Sequence, residues 1–394
     1  MQEILVSQEE SGQRLDKFLR RRLPLAPSSF IYKMLRKKNI TLQGKKADGS
    51  EKVVTGDSIK LFLADDTILK FSRPAGDADE KREADENLAA YKKLDPLLGP
   101  CPVLYEDDNI LVVRKPSGIL SQKADASDLS MNEWLRGYLA HNKDSTGRGE
   151  NRRRISSEKV TGNSTPETAV VFRPSVCNRL DRNTGGILLC AKTLRGSRAL
   201  SAVIRDRVIR KTYTMVVHGQ ICAPGTIDNE LIKDRQTNLV RLADGKSGQN
   251  EQDLQRRQAV TVYRPVRTGN RATMVEADLI TGRSHQLRVH MASIGHPIVS
   301  DPKYGDRNLD SALLGGLQKS SPRQPEQPAQ KSSRKAGPVH RGQLLWCSEV
   351  SFPDSFPDSF PDPADADGAE EVLAPVAGRG FKCPPPRWWV ELCK

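Results

Sequence analysis

The segment LITGRSHQLRVHMASIGHPIVSDPKYGD, residues 279–306, joins the end of an apolar, strand-like run to a short helix and a polar loop. Ser284 is placed to cap the helix HQLRVHMASI, and Gly295 and Pro297 end it, because serine favours helix N-termini whereas glycine and proline follow C-termini. Its predicted buried stripe consists of Leu287, Met291 and Ile294. Hydrogen-bond donors crowd the N-terminus of this helix, and that end of a helix favours anions.

Two polar side chains of this helix, His285 and Arg288, are three residues apart and therefore share one face. His285 and His290 are five residues apart and lie on different faces, and the chain has no H-E-x-x-H motif, so we expect no metal. Residues 245–247 (GKS) resemble the end of a phosphate-binding loop but lack its leading glycine. We therefore expect no nucleotide cofactor either.

A second polar segment, NRLDRNTGG at residues 178–186, stands directly before the apolar run GILLCA. Asp181 lies on this predicted loop between Arg179 and Arg182, whose charges favour a carboxylate that can act as a nucleophile or base. Taken alone, the same pattern is more typical of a structural salt bridge in a turn. The surrounding motifs have to decide between the two interpretations.

A third segment begins at Lys211 and leads into the alternating strand YTMVVHG, residues 213–219. Alternation alone is consistent with an ordinary core tyrosine at Tyr213. Because a basic run from Arg205 to Lys211 precedes it, we expect instead that Tyr213 places its hydroxyl at the edge of a cleft.

Composition indicates a polyanionic partner. The 394 residues leave room for one small and one larger domain, and the formal charge of +13 with pI ≈ 9.4 fits binding to phosphates. The seven cysteines are odd in number and lack paired C-x-x-C spacing, so we expect reduced thiols and a cytoplasmic protein. No run of about 18 apolar residues occurs, and we expect no membrane insertion.

The N-terminal region predicts a small basic module. Residues 14–38 contain two amphipathic helical runs separated by Pro24 and Pro27, and the short strands ITLQG and SIKLFL follow. We place this module at residues 1–70, a charged linker that runs into a short helix at 71–98, and a larger domain at 99–394. Two polar tracts within the larger domain, 142–168 and 311–340, are predicted to be loops or disordered.

Taken in order, four segments resemble the motifs of RluA-type pseudouridine synthases: VLYEDDNILVVRKPSGIL at 103–120, NRLDRNTGG, KTYTMVVHG, and residues 279–306. LLWCSEVSF at 344–352 resembles a late strand of that family, and residues 14–63 resemble the small alpha-L RNA-binding module that often precedes the catalytic domain. The resemblance implies an α+β fold with a mixed, largely antiparallel sheet and a central cleft. It also implies isomerisation of uridine in structured RNA without a cofactor.

The resemblance carries three catalytic residues over to this chain. Asp181 matches the essential aspartate, Arg288 matches the basic residue that pairs with it, and Tyr213 matches the tyrosine that stacks under the uracil. Arg179 matches the arginine that fills the space of the flipped nucleotide. The residues expected to contact RNA are Arg179, Arg182, Arg283 and His285 around the cleft and Arg14, Lys17, Arg20, Arg21, Lys33, Arg36 and Lys37 in the basic module. The chain has Asn178 where many members have histidine before R-L-D.

We expect a monomer that acts on ribosomal RNA of the large subunit. Three alternatives stay open at this point: a synthase acting on transfer RNA, a non-catalytic RNA-binding or ribosome-assembly protein, and a glycosidase-like hydrolase. A hydrolase of that kind usually needs a pair of carboxylates. Intact Asp181, Tyr213 and Arg288 argue against a non-catalytic protein.

Overall fold

The computed structural model describes residues 2–6, 10–72, 77–125, 127–145, 172–234, 239–243, 256–319, 342–357 and 369–394. Within these residues two apolar cores form, a small one from the N-terminal region and a large one from the rest of the chain, with a third, minor cluster beside helix α7 defined below. No helix among them is long and apolar enough to cross a membrane.

The N-terminal module is a four-stranded antiparallel sheet packed on two helices. Its strands are β1 (Gln2–Leu5), β2 (Ile40–Leu42), β3 (Lys45–Lys46) and β4 (Ser58–Leu61), in the order β1-β4-β2-β3. The helices are α1 (Leu15–Arg22) and α2 (Ser28–Arg36). Their buried faces carry Leu15, Phe18, Leu19, Ile31 and Leu35, while most of their basic side chains are exposed. Both amphipathic helices and the predicted strand pair are confirmed.

The stretch predicted to be a linker, 71–98, is largely helical. Helix α3 (Asp65–Ser72) adds Ile68 to the core of the module, and helix α4 (Asp77–Leu98) belongs to the second domain. Leu94 and Leu98 of α4 are buried in the large core, and the Trp134 indole N–H donates to Asp95 at 3.1 Å. The linker interpretation was wrong for 77–98 because a few apolar residues at the end of a charged helix suffice to dock it.

The second domain is built on an eleven-stranded mixed sheet with the path β11-β10-β12-β13-β9-β14-β8-β6-β5, to which β7 and β15 pair at the sides. All pairings between the described strands are antiparallel except that of β14 with β8, so the predicted sheet type is confirmed. The strands are β5 (Val103–Glu106), β6 (Ile110–Lys115), β7 (Ser175–Val176), β8 (Gly185–Ala191), β9 (Arg210–His218), β10 (Gly225–Lys233), β11 (Val240–Leu242), β12 (Arg256–Thr268), β13 (Ala272–Leu279), β14 (Leu345–Ser351) and β15 (Gly380–Lys382).

Helices and two 3-10 helices cover this sheet together with α4. They are α5 (Met131–Ser145), α6 (Leu194–Arg205), α7 (Gln286–Ser293), α8 (Arg307–Lys319), α9 (Ala369–Leu373), the short 3-10 helix Ala374–Val376 and the longer 3-10 segment Arg387–Cys393. All seven residues of β8 are buried, which explains why GILLCA is a continuous apolar run rather than an alternating one. Trp389 and Leu392 of the 3-10 segment are buried in the same core.

Close approach between β8 and β14 depends on two glycines. A Cβ added to Gly185 would lie 2.1 Å from the Trp346 ring, and one added to Gly186 would lie 2.2 Å from the carbonyl oxygen of Cys347. Gly186 also has φ +110°, where side-chain-bearing residues are strained. The glycine pair after the Asp181 loop therefore allows the one parallel pairing of the described strands.

The polar tracts are only partly loops. Residues 142–145 continue α5, and 311–319 belong to α8, whose Leu313 and Leu314 pack on the large core. The loop prediction was wrong there because a few leucines at helical spacing dock α8 despite its polar surroundings. Residues 146–168 and 320–340 of the two tracts lie outside the described residues.

Candidate active site

Helix α7 and the loop before β8 bring Arg288 and Asp181 together. Arg288 Nη1 donates to Asp181 Oδ2 at 2.9 Å. The Thr184 amide donates to the Asp181 carbonyl at 3.0 Å and closes the turn that presents this carboxylate. The Asp181 side chain is about one-third exposed, whereas that of Arg288 is buried. The site therefore offers one accessible carboxylate held by a buried cation.

A second carboxylate fixes the other side of Arg288. Arg288 Nε donates to Asp301 Oδ2 at 2.7 Å and Nη2 donates to Asp301 Oδ1 at 2.8 Å. The amides of Lys303 and Tyr304 also donate to Asp301 Oδ1, at 2.9 and 3.1 Å. Burial raises the pKa of Asp301, but the hydrogen bonds and charge of Arg288 and the two amides outweigh it and hold that pKa below its usual value. Sequence reasoning missed Asp301, although the loop VSDPKYGD contains it.

His285 lies on the other side of Asp181. Its Nε2 is 3.9 Å from Asp181 Oδ2, and its Nδ1 is 2.8 Å from the Tyr304 hydroxyl. The Val240 amide donates to that hydroxyl at 2.9 Å. Burial lowers the pKa of His285, which favours the neutral ring, and Nε2 is the ring nitrogen nearer to Asp181. His285 and Arg288 thus share one face, as their spacing predicted.

The N-terminus of α7 is closed by Gln286, and the predicted Ser284 cap is wrong. His285 occupies the N-cap position in the left-handed conformation, with φ 53°. Gln286 Oε1 accepts from the Arg283 amide at 3.0 Å and from the Thr281 hydroxyl at 2.8 Å. The glutamine side chain is longer than that of serine, so Gln286 can reach back into the turn, where its oxygen accepts from both donors. Of the predicted stripe, Leu287 and Met291 are buried and Ile294 is half-buried.

Lys115, at the end of β6, holds the Asp181 loop from below. Its side chain is fully buried, and Nζ donates to the carbonyls of Pro116, Ile119 and Arg182 at 3.0, 2.7 and 3.0 Å. Burial lowers the pKa of Lys115 to about 7, while the charge of Asp181 acts in the opposite direction. Lys115 lies in the first of the four family-like segments, but nothing in its local sequence indicates this supporting role.

These groups surround a cavity of about 300 Å³. Its lining includes Arg179, Asp181, His285, Arg288, Lys303 and Gln343. This volume lies at the lower end of the range of ~300–1,000 Å³ typical of small-ligand sites. The cavity therefore fits a single small ring, such as a nucleobase, placed against the accessible carboxylate.

The Tyr213 side chain is buried in the core, contrary to the expectation that it stands at the cleft edge. The side chain is buried on the central strand β9 between β13 and β14, and it is not part of the cavity lining. Tyr213 lies opposite Cys347 of β14, and burial together with the neighbouring thiol raises the pKa of Tyr213 well above its usual value. The charge of Asp181 contributes to the same shift, so Tyr213 lies close beneath the site. The catalytic role of Tyr213 stays a prediction.

Comparison with known proteins shows what the chain is similar to. Residues 109–293 match the family model described as RNA pseudouridylate synthase, and this range includes Asp181, Tyr213 and Arg288. Over this range the chain is similar to that family. It is 29% identical over 316 residues to the ribosomal large subunit pseudouridine synthases C of Salmonella typhi and of Escherichia coli (strain K12), covering 79% of this chain and 82% of each relative. The RluA-type resemblance that the motifs indicated is confirmed.

Among solved structures, the chain is similar to human RNA Pseudouridylate Synthase Domain Containing 4. The TM-score is 0.48 at 18% sequence identity, over 78% of this chain and 95% of the human chain. That the N-terminal module has an alpha-L fold stays a prediction.

For a pseudouridine synthase, the departure at Asn178 has a structural explanation. The Leu189 amide donates to Asn178 Oδ1 at 2.6 Å, and Asn178 Nδ2 donates to the Ile187 carbonyl at 3.3 Å. Asn178 is buried and bonds to the backbone of β8, and it does not line the cavity. The substitution therefore affects how the loop is attached to the sheet and leaves the reacting groups in place.

The arginines expected to contact RNA differ in their surroundings. Arg179 is exposed on the cavity rim and forms no ion pair within the described residues. Arg182 is exposed and lies 3.3 Å from Asp128. Arg283 donates to the Gln258 carbonyl at 3.0 Å, and burial together with the nearby charges of two other arginines lowers its pKa. Of these three arginines, Arg179 and Arg182 line the cavity, and Arg179 is the one without an ion pair among the described residues.

In the N-terminal module, the seven predicted basic contacts are all exposed. Arg14 and Arg20 lie 3.1 and 3.9 Å from Asp16, so their charges are partly balanced. The remaining five are Lys17, Arg21, Lys33, Arg36 and Lys37. The outward positive charge of the predicted contacts is therefore carried mainly by these five.

Proposed function

We propose that this protein isomerises uridine to pseudouridine in large-subunit ribosomal RNA, with Asp181 as the catalytic carboxylate. One observation carries the proposal: Asp181 stands at a base-sized cavity with Oδ2 held by Arg288, while Oδ1 accepts no hydrogen bond from any described residue. A carboxylate bound on one oxygen only keeps the other for bond making or proton removal.

The reaction breaks the bond from ribose C1′ to N1 of uracil, turns the base within the site and joins C1′ to C5. The proton lost from C5 balances the one gained at N1, so the net change is an isomerisation without oxidation or reduction. Asp181 either adds to C1′ or removes the C2′ proton in the first step, and both routes need an ionised, fixed carboxylate. Arg288, itself fixed by Asp301, supplies that orientation.

Access to the base requires that the nucleotide be flipped out of its helix, which costs a few kcal/mol. We infer that Arg179, which lines the cavity, fills the space that the flipped nucleotide leaves. The basic N-terminal module supplies binding energy through phosphates rather than bases. The names of the relatives support ribosomal RNA over transfer RNA as the substrate.

We further propose a cytoplasmic monomer. The described cysteines are free thiols, as expected of a reducing compartment. RNA is the partner we infer from the charge of the chain and from the family.

The decisive experiment combines mapping with one substitution. Pseudouridines are mapped in ribosomal and transfer RNA from a deletion strain, and the strain is complemented with wild type, Asp181→Asn or Asp206→Asn. We expect one or more large-subunit sites to disappear on deletion and to return with wild type and with Asp206→Asn, which removes a surface carboxylate paired with its neighbour Arg205. Asp181→Asn is expected to bind RNA normally and to restore nothing.

Two results would contradict the proposal. Turnover by Asp181→Asn would remove this residue from the chemistry. Release of free uracil from RNA by the purified protein would show a hydrolase instead.

A further inference from the structure

Gln343 is a buried amide in the wall of the cavity. It lies two residues before β14 and is 3% exposed. It lines the same cavity as Asp181. Its amide oxygen Oε1 is buried without a hydrogen-bond partner among the described residues.

The other half of the same amide is anchored. Gln343 Nε2 donates to the Thr184 hydroxyl oxygen at 3.1 Å, and the Thr184 amide donates to the Asp181 carbonyl at 3.0 Å. Gln343 is thereby connected through Thr184 to the turn that carries Asp181. The anchored nitrogen restricts the plane in which the unpaired oxygen lies.

A buried carbonyl oxygen without a donor is unfavourable, and native structures contain few of them. Gln286, a buried amide on α7, shows the usual arrangement: its oxygen accepts two hydrogen bonds and its nitrogen donates two. Gln343 therefore lacks a donor that a ligand of the cavity can provide. An N–H group at the edge of a small planar ring is a donor of the required kind.

We propose that Gln343 Oε1 accepts the N3–H of the uracil base and so selects uridine over cytidine. Uracil carries a proton on N3, whereas cytosine has a lone pair there that would face the amide oxygen. The terminal torsion of glutamine is broad, so a small turn of the amide presents Oε1 to a bound base. This inference rests on the proposed function and names the residue that determines its base specificity.

The test measures coupling between Gln343 and the N3 proton. Two short RNAs carry uridine or N3-methyluridine at the mapped target position, and single-turnover rates and RNA affinities are measured for wild type and Gln343→Met. Methionine keeps the volume of glutamine but accepts no comparable hydrogen bond. We expect Gln343→Met to lower kcat/KM for uridine about tenfold or more, because a hydrogen bond in the buried site is removed.

The coupling, rather than the rate loss alone, decides the question. Methylation of N3 is expected to reduce kcat/KM in both proteins, but at least about tenfold more strongly in wild type than in Gln343→Met. The variant makes no hydrogen bond to N3–H, so methylation has no such bond to break. An equal reduction in both proteins would overturn the proposal. Inactivity of wild type on the uridine RNA would overturn the proposed function as well, so the two failures are distinguishable.

Two further variants separate recognition from folding. Gln13→Met changes another glutamine whose buried oxygen has no partner among the described residues, but in the N-terminal module, and it is expected to keep the wild-type ratio. Thr184→Val removes the anchor of the Gln343 amide with little change in side-chain volume. Thr184→Val is expected to weaken the discrimination against N3-methyluridine, and it tests the proposal even if Gln343→Met does not fold. Unchanged discrimination in folded Thr184→Val would overturn the proposal.

Discussion

At the scale of single residues, Arg288 is shared unequally between two carboxylates. Asp301 takes two of its donors and Asp181 takes one. This division orients the guanidinium before RNA arrives and leaves Asp181 Oδ1 for chemistry. Asp301 is therefore as important for the geometry of the site as Arg288 itself.

Asp301→Asn is expected to lower both stability and rate. Removing one partner of a buried ion pair typically costs about 3–5 kcal/mol, and Arg288 would lose the bidentate bond that fixes it. Chemical denaturation measures the first effect, and single-turnover kinetics under conditions where the variant is folded measures the second. Asp306→Asn, at the start of α8, is the control for the loop and should leave the rate unchanged. A wild-type rate in folded Asp301→Asn would show that Asp181 does not depend on a fixed Arg288.

Tyr213→Phe is expected to bind RNA normally and to react ~10²-fold or more slowly, as for loss of a proton-transferring group. The structure adds an alternative cause, because the same substitution removes a hydroxyl that lies beside the Cys347 thiol in the core. Cys347→Ala separates the two, since it removes the thiol and keeps the tyrosine hydroxyl. If Cys347→Ala is as slow as Tyr213→Phe, the hydroxyl acts through packing; a wild-type rate for Tyr213→Phe would reduce Tyr213 to a stacking platform.

The sequence indicates site residues that belong to short motifs and misses those that act across long separations. Asp181, His285 and Arg288 stand in dense polar segments, and the structure brings all three together. Asp301 looks like an ordinary turn residue until α7 packs against it. Gln343 follows a polar tract, and its unpaired oxygen becomes evident only once β14 lies beside β8.

At the scale of elements, one side of α7 faces the site and its other side is buried in the interior of the domain. His290 is fully buried with Nδ1 at 2.9 Å from the Thr261 hydroxyl and with Nε2 unpaired among the described residues. Burial lowers the pKa of His290 to about 4. The ring must therefore stay neutral for α7 to remain docked.

This predicts a pH dependence of stability. The unfolded chain protonates His290 near pH ~6.5, and the folded chain does so only near 4. Between these values the unfolded state binds more protons, so the free energy of unfolding falls as pH falls, by up to about 3 kcal/mol. Denaturation between pH 7 and 4 should show a smaller fall for His290→Gln than for wild type. His141→Gln, at an exposed histidine, should behave as wild type, and equal curves for all three proteins would contradict the prediction.

Element types follow from periodicity, whereas element ends do not. β8 and β9 are evident as apolar runs, but the N-terminus of α7 depends on Gln286 reaching back to residues 281 and 283, which no local cap rule indicates. Helix α4 resembles a linker in sequence because its docking residues are few. In both cases tertiary contacts outweigh the local pattern.

At the scale of the whole molecule, a cluster of positive charge lies on a module separate in sequence from the chemistry. Lys33→Ala with Arg36→Ala is expected to weaken RNA binding and to reduce the slope of log affinity against log salt by about two, one for each phosphate that is no longer neutralised. The rate at saturating RNA should remain that of wild type. Arg205→Ala, which removes a cation already paired with Asp206, is the control and should change neither quantity. An unchanged slope in the double variant would show that this face does not meet RNA.

The strand order of the large sheet also affects how the protein folds during its synthesis. Among the described strands, β5 to β8 and β9 to β13 form two groups that are paired to each other only through β14, which follows them both in the chain. During synthesis, Asp181, Tyr213 and Arg288 leave the ribosome well before the strand that joins these two groups. Such distant pairing is slow to form. The growing chain therefore carries the three proposed catalytic residues for some time before it can act on any RNA, including that of the ribosome producing it.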